Sequence, residues 1–237
     1  MVTKTGFDSD RDVAPPPNLG DDLPILYEDD EEGELGESSP HVSADEILHI
    51  CLLAHFAGRS EYKVFSNMNL YYQPGPSQRV SRLPYVSPDT MVVVPFHPLG
   101  DDVTSYQIGK DGPAPELTIE VLSERSAQQR DLVEKLTVYA KLGVKEYFLV
   151  DPSGRFLAQK LLLKRLQPDK TWSDEQDDDG GLSSAFGFRL TLDSAGRVQV
   201  QDAATGRAYV RPTEAEQRVR DLEAEVARLR QALEKKS

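Results

Sequence analysis

Cysteine is nearly absent from this chain. There is one, Cys51, in 237 residues, so no internal disulfide can form. It lies in the apolar run ICLLA and reads as a small buried hydrophobe rather than a nucleophile. Histidine is scarce too: His41, His49, His55 and His97 lack the close ligand spacing of a zinc site. His41 and His97 read as loop residues, and His49 and His55 lie on or near the first helix. No apolar run approaches the ~20 residues needed to cross a bilayer. The N-terminus is acidic and proline-rich, unlike the basic start of a secretory signal, so a cytoplasmic protein is expected. No glycine-rich phosphate loop is present, because GKDGP follows no strong strand and precedes no helix.

Negative charge is plentiful but uneven. The formal net charge is -13, which taken whole argues against a nucleic-acid binder. Residues 1–40 hold twelve Asp/Glu against two bases, so ten of those charges belong to the N-terminal segment. A second acidic run spans residues 173–180. The rest is close to neutral, and the overall charge is a poor guide to what it binds. Residues 1–38, with DRDVAPPPNLGDDLP and YEDDEEGELGESS, carry too little apolar surface to offset their ordering entropy and read as a disordered tail. Such a tail could solvate the protein, bind a partner, or mimic nucleic acid over a basic cleft.

From residue 39 to 212 the pattern is that of a mixed domain. Ser43 and Glu46 have the spacing of a capping box, which predicts a helix from Ser43 through Ile47, Ile50, Cys51 and Ala54 to Gly58. Residues 63–73 alternate and predict one strand. Residues 89–94 and 117–121 read as buried strands, with a weaker strand at 104–109. A helix is predicted from Ser126 to Leu142, closed by Gly143. Strands follow at 145–150 and, after the turn DPSG, at 155–166. The acidic run near Asp177 reads as an exposed loop, with short strands at 188–192, 198–200 and 208–210.

Residues 213–237 change character. Ala215, Val219, Leu222, Val226, Leu229 and Leu233 follow 4-3-4-3-4 spacing, a heptad seam of about three repeats. Self-association as a homodimer and docking on the chain's own domain both fit that length.

Only one constellation offers chemistry. Asp89 opens one strand and Glu120 lies near the end of another. Neither acid has an obvious partner in an apolar sheet, and an unpaired buried carboxylate is costly, so a metal is a natural explanation. Hydrolysis of a phosphodiester needs a divalent ion and a cation near the developing charge. Mg²⁺ takes one or two carboxylates plus waters and substrate phosphates. Lys135 is the candidate cation, since Gln128, Asp131, Lys135 and Tyr139 share one helix face. Asp131 and Lys135 also fit an ordinary i, i+4 pair on a solvent face.

The ordered series PDTMVVV, LTIEVLS, then D…K…Y on a helix, then GVKEYFLVDP, resembles the Uma-type putative restriction endonuclease family, within the nucleases known by a PD-(D/E)xK signature. The likeness is close over residues 85–152 and looser from His41 to Val210, while the first ~35 residues resemble nothing in the family. It implies an α/β fold, a restriction-endonuclease-like mixed central sheet flanked by helices, here with a C-terminal heptad helix. It implies a Mg²⁺- (or Mn²⁺-) dependent endonuclease acting on DNA, with Asp89 and Glu120 as metal ligands. Position 122, where the signature carries lysine, is Leu122, and Lys135 on the helix stands in for it. Asp131 and Tyr139 match other positions of that helix, and Glu37 matches an acid near the metal in some members. A nucleic-acid-binding module without catalysis, or a protein-interaction module working through the tail and the C-terminal helix, would use the same chain differently.

Overall fold

Three short apolar runs, TMVV, LTIEV and EYFLV, are buried at every position and form the centre of the molecule. Strands buried on both faces read as continuous apolar runs, which is why their alternation is weak. The coordinates are those of a computed structural model and describe residues 39–97, 103–123 and 127–234.

The first helix, α1 (Ser39–His55), is followed by β1 (Lys63–Ser66), β2 (Asn69–Tyr71), β3 (Tyr85–Val86), β4 (Thr90–Val93), β5 (Ser105–Gln107) and β6 (Leu117–Val121). A π-helical stretch, Ala127–Glu134, runs into α2 (Lys135–Leu142). Then come β7 (Glu146–Val150), β8 (Leu161–Leu166), β9 (Trp172–Glu175), β10 (Leu182–Ser183), β11 (Phe188–Leu192), β12 (Val198–Asp202) and α3 (Pro212–Glu234).

The main sheet has six strands in the order β1-β4-β6-β7-β8-β9. Only β6 and β7 pair in parallel; the other neighbours are antiparallel. Parallel neighbours need a crossover, and the segment containing α2 supplies it. Leu117, Ile119 and Val121 of β6 face α1 and a three-stranded sheet of β10, β11 and β12, in one core with Leu48, Leu52 and Phe188. The opposite face packs on α2 and on a second small sheet, β3-β2-β5, through Met91, Val93, Leu122, Val138 and Tyr139. Glu120 belongs to that second face, because side chains alternate along a strand.

Several sequence expectations are corrected. The first helix begins at Ser39, so Ser43 lies inside it and is not its N-cap. Its buried face is Ala44, Ile47, Leu48, Cys51 and Leu52, while Ile50 points outward. Residues 63–73 form two strands in different sheets, because Asn67 has φ 49° and turns the chain between them. The return strand is shorter than 155–166: β8 starts at Leu161, after an irregular loop. Ser173, Asp174 and Glu175 of the acidic run are in β9, and only the turn after them is loop. At 208–210 there is an isolated bridge, Gln201 to Ala208, rather than a strand. The tail, with Glu37, lies outside the described residues.

Arg211 roots α3. Its Nη2 donates to Asp193 Oδ2 at 2.8 Å and to the Val198 carbonyl at 3.2 Å. Beyond that root the seam is open: Val219 is 54 % exposed, Leu222 65 %, Val226 45 % and Leu229 53 %. No described helix is long and apolar enough to cross a membrane.

Candidate active site

β4 and β6 run antiparallel with Thr90 opposite Ile119 and Met91 opposite Thr118. One more step of that register sets Asp89, the residue before β4, across from Glu120. The backbone reinforces the match: the N–H of Val121 donates to Asp89 Oδ2 at 2.6 Å. The two acids singled out in the sequence therefore meet at one end of two central strands.

Glu120 is buried, and both its oxygens are engaged. Lys135 Nζ donates to Oε2 at 2.8 Å, and Tyr139 OH donates to Oε1 at 2.7 Å. Lys135 also donates to the Ser87 carbonyl at 3.1 Å, so one ammonium ties the helix to the sheet and to the loop that carries Asp89. Asp131 Oδ1 lies 3.1 Å from Nζ, at ion-pair distance but outside hydrogen-bond alignment. Asp131 and Lys135 are both buried, so the solvent-face pair is not what forms. Tyr147 OH on β7 holds the Asp131 carbonyl at 2.8 Å, and the Tyr139 and Tyr147 rings meet edge to face at 5.1 Å.

The helix that delivers these groups departs from the regular spacing expected of it. Residues 127–134 wind as a π-helix, and α-helical geometry begins at Lys135 itself. Such wide turns recur at functional sites. Asp131, Lys135 and Tyr139 still converge; the side chain of Gln128 is outside the described part. Gly143, at φ 84°, ends α2 and donates to the carbonyls of Tyr139 and Ala140, a left-handed cap that suits glycine.

The charge balance of the cluster is unfavourable to itself. Asp89, Glu120 and Asp131 face a single lysine. Burial pushes the Asp89 carboxyl up to about 6, against the pull of Lys135 and the Val121 N–H. Burial also raises Glu120 well above the carboxylate range, with Lys135 opposing and the charges of Asp89 and Asp131 adding to the rise. Tyr139 and Tyr147 are raised by burial and by Glu120, so both phenols stay protonated as donors. Surplus negative charge at a partly open edge is the electrostatic demand a divalent cation would meet, and the donor set is oxygen-rich, as Mg²⁺ or Mn²⁺ requires. Among the described residues, no three His, Cys, Asp or Glu side chains gather closely enough to hold a metal by themselves. Two carboxylates are nonetheless the usual protein share of a Mg²⁺ shell, with water and substrate phosphate making up the rest. The residues fit the ion on those terms.

One consequence concerns stability without metal. A carboxyl raised from 3.8 to about 6 binds a proton in the folded state that the unfolded chain has lost. Its contribution to stability therefore falls as pH rises from about 4 to about 6, and above that the charged form is a net cost. Asp89→Asn should raise the unfolding free energy in chelator at pH 7.5 by roughly 1–3 kcal/mol, at 1.36 kcal/mol per pKa unit. The gain should shrink at pH 5. Denaturant titration at both values tests it, and a destabilised variant at pH 7.5 would contradict the electrostatic account.

Sequence reasoning missed His41. It is neither a loop residue nor remote: it lies in the first turn of α1, is buried, and brings Nε2 to 3.9 Å from Asp89 Oδ2. The misplaced helix start hid it. Ser87 was also missed, as carbonyl partner of Lys135 and hydroxyl partner of Asn69. Asp151 sits at the same end of the sheet, since Val121 pairs with Val150. Its carboxylate is already taken by Ser153 Oγ and by the N–H groups of Gly154, Phe156 and Leu157, which shape the loop before β8.

Comparison with known proteins adds the following. A solved structure described as a putative nuclease belonging to DUF820 from Anabaena variabilis is similar at 16 % sequence identity and a TM-score of 0.46, over 63 % of this chain and 74 % of that one. No curated protein matches. A family model described as Uma2, putative restriction endonuclease, matches residues 27–193. The match begins at residue 27, inside the acidic segment, which corrects the expectation that the first ~35 residues resemble nothing in the family.

Proposed function

Because the chain belongs to the Uma2 family of putative restriction endonucleases, we propose that it is a Mg²⁺- or Mn²⁺-dependent endonuclease hydrolysing DNA phosphodiester bonds in the cytoplasm. The observation that carries this reading is the β4–β6 register, which brings Asp89 and Glu120 together beside Lys135. Asp89 and Glu120 would hold the ion. When bound there, a divalent ion supplies Lewis-acid polarisation of the scissile phosphate and a lowered pKa for water.

The chain's own residues do the rest. The Val121 N–H fixes one oxygen of Asp89, and Tyr139 fixes one oxygen of Glu120, so both carboxylates are oriented before substrate arrives. Such preorganisation is where electrostatic catalysis gains most. Lys135 brings a positive charge to the same point, available to the charge that builds on the phosphate oxygens. Water is the nucleophile in this reading, since a bound divalent ion would activate it. Leu122, in the position of the signature lysine, is buried in the apolar core and takes no part.

Calorimetric titration of Mg²⁺ or Mn²⁺, with and without DNA, into the parent and Glu120→Gln tests the assignment. Binding is expected in the parent and lost in the variant. Equal binding by both proteins would remove Glu120 from the metal site. DNA binding that ignores the metal would favour the non-catalytic nucleic-acid module.

A further inference from the structure

We propose that α3 pairs with α3 of a second copy of this chain as a parallel, in-register, two-stranded coiled coil. The inference does not depend on the nuclease reading and would hold for a non-catalytic protein on the same fold.

The starting point is a helix with an unused face. α3 has 23 residues, about 35 Å at 1.5 Å per residue, and is anchored to the domain at Arg211. Val219, Leu222, Val226 and Leu229 form one stripe and are each roughly half exposed. Helices in proteins draw most of their stability from packing such a face. Among the described residues, the element contacts of the domain do not include one that covers it.

The residue types select the occupant. The 4-3 spacing places Val219 and Val226 at position a of the heptad, and Leu222 and Leu229 at position d. β-Branched residues at a with leucine at d favour two parallel strands. The flanking charges agree. Arg218 and Glu225 fall at position g, and Glu223 and Arg230 at position e. In a parallel, in-register dimer, g of one helix faces the following e of the other. The facing pairs are then Arg218 with Glu223 and Glu225 with Arg230, both of opposite sign, and each occurs twice by symmetry. Within one copy these groups have only weak exposed alternatives, such as Arg228–Glu225 at 2.5 Å. A second copy thus satisfies the apolar stripe and the charges beside it together.

The parallel sense has a structural result. Each domain precedes its helix, so both domains sit at the same end of the coil. The two Asp89–Glu120 clusters are then related by one twofold axis. An antiparallel pair would place the domains at opposite ends.

Light scattering of the full chain at tens of micromolar should give twice the 26.4 kDa of one chain. The double substitution Leu222→Glu with Leu229→Glu should halve that mass and leave the domain itself folded, since neither side chain packs on the domain of its own chain. Orientation is read from two single variants, Leu222→Cys and Leu229→Cys, oxidised separately; the native Cys51 is buried. Both should form disulfide-linked dimers, because d faces d in register, whereas an antiparallel pair can join at most one of them. A single-chain mass for the parent at these concentrations, or cross-linking at only one position, would overturn the proposal. Metal and DNA binding by the double variant separates this inference from the catalytic one.

Discussion

Glu120→Gln is expected to lower metal-dependent DNA cleavage on the order of 10³-fold, at the upper end of what removing one preorganised electrostatic group costs. The substitution keeps size and hydrogen-bonding capacity. The amide oxygen can still accept from Lys135, and the amide nitrogen can donate to the Tyr139 hydroxyl. Lys135 also keeps Asp131 at 3.1 Å. Losing the charge pair with Lys135 and removing a carboxylate that burial disfavours act in opposite directions, so the melt should stay close to the parent's. Plasmid nicking assayed beside a thermal melt separates the two effects. Cleavage at the parental rate would take Glu120 out of the reaction; loss of cleavage with a collapsed melt would assign it to the fold.

Lys135→Met should have the largest effect on the fold. It leaves Glu120 and Asp131 buried without the cation between them, and breaking a buried ion pair from one side costs about 3–5 kcal/mol. The pH dependence has a definite sign. Burial already raises Glu120, and Lys135 is the main group holding it down. Without Lys135 the carboxyl rises further, so the folded state holds a proton that the unfolded chain releases. Stability is then lost as pH rises above the ordinary glutamate range and recovered as pH falls. Urea titration should show a deficit at pH 7.5 that narrows at pH 5. The same deficit at both values would mean that lost packing, not charge, dominates.

How far the sequence disclosed this arrangement differs from residue to residue. Asp89 and Glu120 were visible because acids at the ends of β-branched runs contradict their surroundings. Lys135 and Tyr139 were visible because i, i+4 spacing survives in α2. The pairing of β4 with β6 was not visible, since register between strands that are not consecutive in the chain depends on tertiary packing rather than on local pattern. His41 was hidden for a local reason. Ser43 and Glu46 form a convincing cap by spacing, yet the helix extends four residues earlier, burying His41 next to Asp89. Residues 155–160 look like the start of a strand, but the Asp151 carboxylate collects the N–H groups that a strand would have offered to its neighbour. Spacing along a chain does not reveal which polar group wins a backbone partner.

Asp89 and Glu120 are carried by strands at the centre of a six-stranded sheet, whereas Lys135 and Tyr139 ride on a helix laid against it. Strands locked on both sides open only when the whole domain opens, but a helix on the surface of a sheet can detach by itself. The cluster is therefore complete only while α2 stays packed on the sheet, and an opening of that helix alone would be enough to take it apart. A change that loosened that helix alone would take the cation and the phenol away from the two acids while leaving the sheet intact.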